Sequence, residues 1–127
     1  MSNVKGKNTS IELLVRKYLY SHGVRYRVHS KRILGSPDIS IKKYRIAIFI
    51  NGCFWHGHGC KKSSLPKSNQ LFWKNKIEAN IARDARVIAE LKKQGWNIYV
   101  VWECELLNYM DTSLNLLKEW IEKSIRA

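Results

Sequence analysis

Ile50 to Cys60 reads I-N-G-C-F-W-H-G-H-G-C, so one short stretch carries two cysteines, two histidines, an adjacent Phe-Trp pair and three glycines, directly after an apolar run. Thiolate and imidazole are the ligand types that Zn²⁺ prefers. Cys53, His58 and Cys60 form C-x4-H-x-C, and Cys104, the one remaining cysteine, follows a predicted strand. Three thiolates and one imidazole complete the closed tetrahedral shell of a structural zinc site, which would order the loop and leave no position for chemistry. The competing reading makes Cys104 a small buried hydrophobe and the other two free thiols. His56 is then surplus to the zinc and available for proton transfer, because a neutral imidazole can deprotonate a water beside a metal-bound phosphate. It could instead be an alternative zinc ligand through C-x2-H. Phe54 and Trp55, adjacent and bulky, either cap the loop from within or project to stack on and unstack nucleic-acid bases.

Catalysis needs a second group, and Asp38 is the candidate. It follows Gly35-Ser36-Pro37 and opens a predicted strand, where a carboxylate can offer oxygen ligands to Mg²⁺. An acid after proline is also an ordinary turn former. Asp38 is, however, the one carboxylate between Glu12 and Glu78 in a chain otherwise arranged to attract anions.

The elements that must hold these groups follow from periodicity. Thr9-Ser10-Ile11-Glu12 reads as a capping box opening a helix with the apolar face Ile11, Leu14, Val15, Tyr18 and Leu19, stopped by Gly23. Val24, Tyr26 and Val28 alternate with polar residues as a half-buried strand to His29. After a loop from Ser30 to Pro37, Asp38 to Ile41 is a second strand, Lys42 to Tyr44 a turn, and Arg45 to Ile50 a central apolar strand. Gly52 to about Lys67 is irregular; Asn69 to Gln94 is a helix ended by Gly95, Trp96 to Trp102 a fourth strand, and Ser113 to Ile125 a final helix. The expectation is one α/β domain over residues 1–127, with a mixed central sheet flanked by helices.

Lys and Arg outnumber Asp and Glu by 23 to 10, a formal charge of +13 that points to a polyanionic partner. Lys5, Lys7, Lys61, Lys62 and Lys67 are candidate backbone contacts, although each alone is equally a solvated surface charge. The 45% apolar content is that of a soluble protein, without a membrane-spanning run, and Met1 to Ser10 lacks the apolar core of a signal peptide. An odd cysteine count argues against a disulfide framework. A cytoplasmic, nucleoid-associated monomer is expected.

These residues resemble the very short patch repair endonucleases, bacterial enzymes that nick DNA at mismatches. The segments that carry the resemblance are K-N-T-S-I-E from Lys7, G-S-P-D from Gly35, F-I-N-G-C-F-W-H-G-H-G-C from Phe49, F-W at Phe72 and G-W-N-I-Y-V-V-W-E-C from Gly95, in order along almost the whole chain. The resemblance implies a restriction-endonuclease-like fold. It also implies an activity, nicking of one strand of duplex DNA 5′ to the thymine of a T·G mismatch left by deamination of 5-methylcytosine. Carried over by position, it makes Asp38 the Mg²⁺-binding aspartate, with the main-chain carbonyl of Ile50 as a further ligand, and His56 the catalytic histidine. It makes Cys53, His58, Cys60 and Cys104 the zinc ligands, Phe54 and Trp55 the wedge entering the duplex with Met1, and Glu12 an acid near the active centre. Asn51 stands where the best-known members carry a histidine; an amide cannot shuttle a proton, so hydrogen bonding or positioning is the role left to it. The chain also starts at Met1 where the family usually has a basic leader, so fewer phosphate contacts are expected. A DNA-binding module without nuclease activity and a restriction-type nuclease acting on matched duplex are the competing readings.

Overall fold

A computed structural model describes residues 10–52 and 69–126. The first helix, α1, runs Ser10–Ser21 and buries Val15 and Leu19, with Ile11, Leu14 and Tyr18 packed against the same core. It stops as glycine chemistry requires: Gly23 takes φ +83°, its N–H donates to the Tyr20 carbonyl at 3.0 Å, and the Val24 N–H donates to the Leu19 carbonyl at 3.0 Å. This is a Schellman ending, in which a left-handed residue satisfies the last helical carbonyls.

Four strands follow in the order β1-β2-β3-β4: β1 Arg27–Val28, β2 Ile39–Ile41, β3 Ile46–Asn51 and β4 Asn97–Trp102. β1 is shorter than the alternation from Val24 to His29 suggests. His29 adopts a left-handed φ of +49°, which breaks the extended run, and Val28 at the open edge remains 37% exposed although it faces the same side as its partner Ile39. β2 and β3 pair antiparallel through a single 3-10 turn, Lys42–Tyr44, with Ile39 opposite Ile48 and Ile41 opposite Ile46. β3 then pairs parallel with β4, from Ile46 beside Asn97 to Asn51 beside Trp102.

A parallel pair needs a crossover, which α2 (Gln70–Lys93) supplies. Its end repeats the first device: Gly95, at φ +89°, donates to Lys92 and Trp96 donates to Leu91, both at 3.0 Å. β3 is covered on both faces, as its unbroken apolar run requires. Ile46 and Ile48 join Val15, Leu19, Leu114, Leu117 and Ile121 in the main core, whereas Phe49 and Asn51, on the alternate side, look toward α2. Two helices close the described chain, α3 (Glu103–Asn108) and α4 (Met110–Arg126). α3 was not expected, and α4 starts three residues before Ser113. Among the described residues no helix is long and apolar enough to cross a membrane.

Candidate active site

The site forms where the β2–β3 ladder runs out. Continuing the antiparallel register past Ile39 and Ile48 would set Ile50 opposite Pro37, which has no N–H to give the ladder. The carboxylate of Asp38 fills the gap: its Oδ2 accepts the Ile50 N–H at 2.7 Å. The loop before it is tightly shaped. Gly35 has φ +79° and Ser36 φ +46°, and the Ser36 N–H donates to the Ile33 carbonyl at 2.9 Å. A β-carbon on Gly35 would stand 2.4 Å from Cγ1 of Val87, so the loop lies directly on α2 and only glycine fits.

Between this loop, the end of β3 and α2 lies a cleft of about 380 Å³, lined by Gly35, Ser36, Asp38, Phe49, Ile50, Asn51, Arg83, Asp84, Val87 and Ile88. Asn51 is nearly buried, at 8% exposure, at the last position of β3. Arg83 and Asp84 bring a cation and a carboxylate to the cleft from α2; neither stood out in the sequence, where they resemble the solvated face of a long helix.

Behind Asp38 lies a second pair of groups. The His29 N–H donates to the Asp38 carbonyl at 3.2 Å, which ties the end of β1 to the start of β2. Its imidazole Nε2 lies 2.6 Å from Oε2 of Glu12 and 3.9 Å from Oδ1 of Asp38. Glu12 is 2% exposed and also takes the Arg16 guanidinium at 3.2 Å across one helical turn. The first-turn acid of α1 is thus directed into the protein toward Arg16 and His29; Thr9, its expected capping partner, lies outside the described residues. One donor atom from each of Glu12, His29 and Asp38 falls within 4.8 Å of the others. Two carboxylate oxygens and an imidazole nitrogen, converging and largely shielded from water, are a donor set that fits a divalent cation.

Cys104 is half-buried in the first turn of α3, two residues beyond Trp102. Because β3 and β4 are parallel neighbours with Asn51 beside Trp102, Cys104 lies at the end of the sheet where β3 also finishes. The expectations for Cys53, His58 and Cys60, for His56, Phe54 and Trp55, for Met1, and for Lys5, Lys7, Lys61, Lys62 and Lys67 concern residues outside those described.

Residues 1–62 match the family model described as DNA mismatch endonuclease Vsr. The chain is 50% identical over 108 residues to a type II nicking enzyme of Neisseria meningitidis serogroup A, a match covering 85% of this chain and 77% of that protein. It is 51% identical over 106 residues to a type II nicking enzyme of Xanthomonas oryzae, covering 84% and 78% respectively. With the DNA mismatch endonuclease Vsr of Escherichia coli it shares 37% identity over 125 residues, 95% of this chain and 80% of that one. The chain belongs to the Vsr family. Vsr membership makes it a DNA endonuclease, a hydrolase of phosphodiester bonds, and the α/β architecture with its four-stranded mixed sheet agrees with the restriction-endonuclease-like fold that the resemblance implies.

Proposed function

We propose that this protein nicks one strand of duplex DNA 5′ to the thymine of a T·G mismatch, by Mg²⁺-dependent hydrolysis at the cleft beside Asp38. The observation that carries the reading is the Asp38 carboxylate, held by the Ile50 N–H at 2.7 Å at the wall of an open cleft in a strongly basic chain. Asp38 and the Ile50 carbonyl would hold Mg²⁺. When bound, that ion polarises the scissile phosphate and stabilises the leaving 3′ oxygen.

The chain's own residues supply the remainder. His56 takes a proton from the attacking water. Asn51, with an amide that both donates and accepts, hydrogen-bonds a phosphate oxygen where other members use a histidine. Glu12 acts from behind Asp38, keeping negative charge on the site's inner wall. Phe54, Trp55 and Met1 enter the duplex and unstack the mismatched step, at a cost of a few kcal/mol that a wobble pair reduces. Cys53, His58, Cys60 and Cys104 hold a structural Zn²⁺ that orders the segment carrying His56. Lys5, Lys7, Lys61, Lys62 and Lys67 grip the backbone, so binding weakens steeply with salt. The protein works as a monomer in the bacterial cytoplasm.

Nicking of a duplex with a central T·G pair, beside its matched T·A control, tests this with wild type, Asp38→Ala and His56→Ala in the presence of Mg²⁺. Mismatch-selective nicking lost in both variants is expected. Binding without cleavage by the wild type would reduce the protein to a DNA-binding module, and equal cutting of the control would make it a restriction-type nuclease.

A further inference from the structure

We propose that His29 is a direct nitrogen ligand of the cation at Asp38, and that it shifts the site's preference from Mg²⁺ toward Mn²⁺. The inference rests on the reading of Asp38 as a cation-binding carboxylate and adds a ligand that decides which cation is favoured.

The first observation is a buried nitrogen without a well-directed hydrogen bond. Among the described residues Nε2 of His29 makes none, and its nearest polar contact is the pairing with Oε2 of Glu12 at 2.6 Å. The separation suits a hydrogen bond, so what fails is direction. In an imidazolium–carboxylate pair the N–H would aim at the oxygen. A nitrogen and an oxygen that both aim at a third atom have no such need.

The second observation is spacing. Around an ion with bonds of about 2.1 Å, adjacent ligands lie about 3 Å apart and opposed ones about 4.2 Å. The 3.9 Å from Nε2 to the Asp38 oxygen falls between these two values, the 2.6 Å to the Glu12 oxygen is a few tenths of an ångström shorter than the adjacent one, and the three donors lie within 4.8 Å of one another. The third observation is how the ring is held. His29 sits at φ +49°, a conformation uncommon for a non-glycine residue, and its own N–H donates to the Asp38 carbonyl at 3.2 Å. One residue therefore offers a carboxylate and also anchors the backbone of the imidazole beside it.

The chemistry of this set follows. Mg²⁺ favours oxygen and parts with water reluctantly, whereas imidazole nitrogen raises affinity for first-row transition ions. Arg16, 3.2 Å from Glu12, offsets part of the carboxylate charge, so two acids and an imidazole suit one divalent ion.

The test is calorimetric titration of the full, zinc-loaded chain with Mn²⁺ and with Mg²⁺, for wild type and His29→Asn. Asparagine tolerates the left-handed backbone and removes the imidazole. The wild type should bind Mn²⁺ at least about tenfold more tightly than Mg²⁺, and His29→Asn should lose about tenfold in Mn²⁺ affinity while Mg²⁺ changes less than about threefold. A residue that only props Glu12 would lower both affinities together; an unchanged Mn²⁺/Mg²⁺ ratio overturns the proposal. If His29→Asn fails to fold, nuclear magnetic resonance on the wild type decides, since Mn²⁺ must broaden the His29 ring signals selectively over those of exposed His22, and equal broadening overturns it. Nicking at T·G with Mg²⁺ and no change in the ratio would sink this inference and leave the proposed function standing. A selective Mn²⁺ loss in a chain that nicks nothing would do the reverse.

Discussion

The two ends of β3 use their polar groups differently. At the Ile46 end everything closes on itself: the Arg45 guanidinium donates to the Gln94 carbonyl at 2.6 Å, the Asn97 N–H to the Arg45 carbonyl at 2.7 Å, and the Arg45 N–H to the Lys42 carbonyl at 3.0 Å. At the Asn51 end the ladder stops at a proline, a carboxylate takes its place, and among the described residues an imidazole nitrogen is buried without a hydrogen bond. Buried polar atoms are normally satisfied, so an exception marks this end as the one to test for a role beyond stability. The contrast predicts that substitutions at one end change stability and at the other change activity.

Asp38→Ala should produce the largest effect. Loss of a cation ligand removes several kcal/mol of transition-state stabilisation, so nicking of the T·G duplex should fall by about 10³-fold or more. Loss of the hydrogen bond to the Ile50 N–H should lower stability by about 1 kcal/mol, far less than the effect on activity. Single-turnover nicking together with thermal melts measures both; a melting temperature that collapses with the activity would make Asp38 structural and erase the difference between the ends.

Gly35→Ala lies between the two classes. The added β-carbon must displace Val87 from 2.4 Å and also accept φ +79°, together about 2 to 4 kcal/mol. Val87 has little freedom to rotate away, since a β-branched side chain in a helix is held to essentially one rotamer. The loop carrying Asp38 shifts as a result, so denaturant midpoint and nicking rate should drop together. Arg45→Ala, at the closed end, should cost about 1 kcal/mol through the lost bond to Gln94 and leave nicking within about twofold of wild type.

Much of this contrast could be read from residues alone. The apolar run of β3 and the glycines at 23 and 95 mark strand and helix ends through strong local chemistry, and both helices end where those glycines require. Asp38, singled out in the sequence as a carboxylate opening a strand, accepts the Ile50 N–H at 2.7 Å. What sequence concealed depends on tertiary direction. His29 looked like the polar member of an alternating strand, yet its left-handed backbone turns it toward Glu12. Glu12 looked like a capping residue, and a first-turn acid on a helix reads the same whether it caps or points inward. Arg83 and Asp84 carry the charge pattern of any exposed helix until a facing loop makes them a cleft wall. α3 is six residues long with one buried side chain, Leu106, too short to show a helical period.

The smallest expected effect comes from Tyr99, midway along β4 opposite Ile48 and away from either end, so it serves as a control for the contrast. Its phenol pKa is raised above 10.0, first by burial and second by the nearby Glu105 carboxylate. The ring packs beside Trp120, with centroids 5.1 Å apart. The folded protein therefore keeps this proton at a pH where the unfolded chain has released it. Stability from Tyr99 is complete below the unfolded value and is lost as pH rises through the higher folded one, because the native state binds more protons over that window. Urea midpoints measured from about pH 9 to 11 should fall less steeply for Tyr99→Phe than for wild type, and Glu105→Gln should reduce the slope by a smaller amount. Parallel wild-type and Tyr99→Phe curves would mean that the phenol ionises as freely in the fold as outside it, and alkaline instability would then have to come from groups at the ends of the strand.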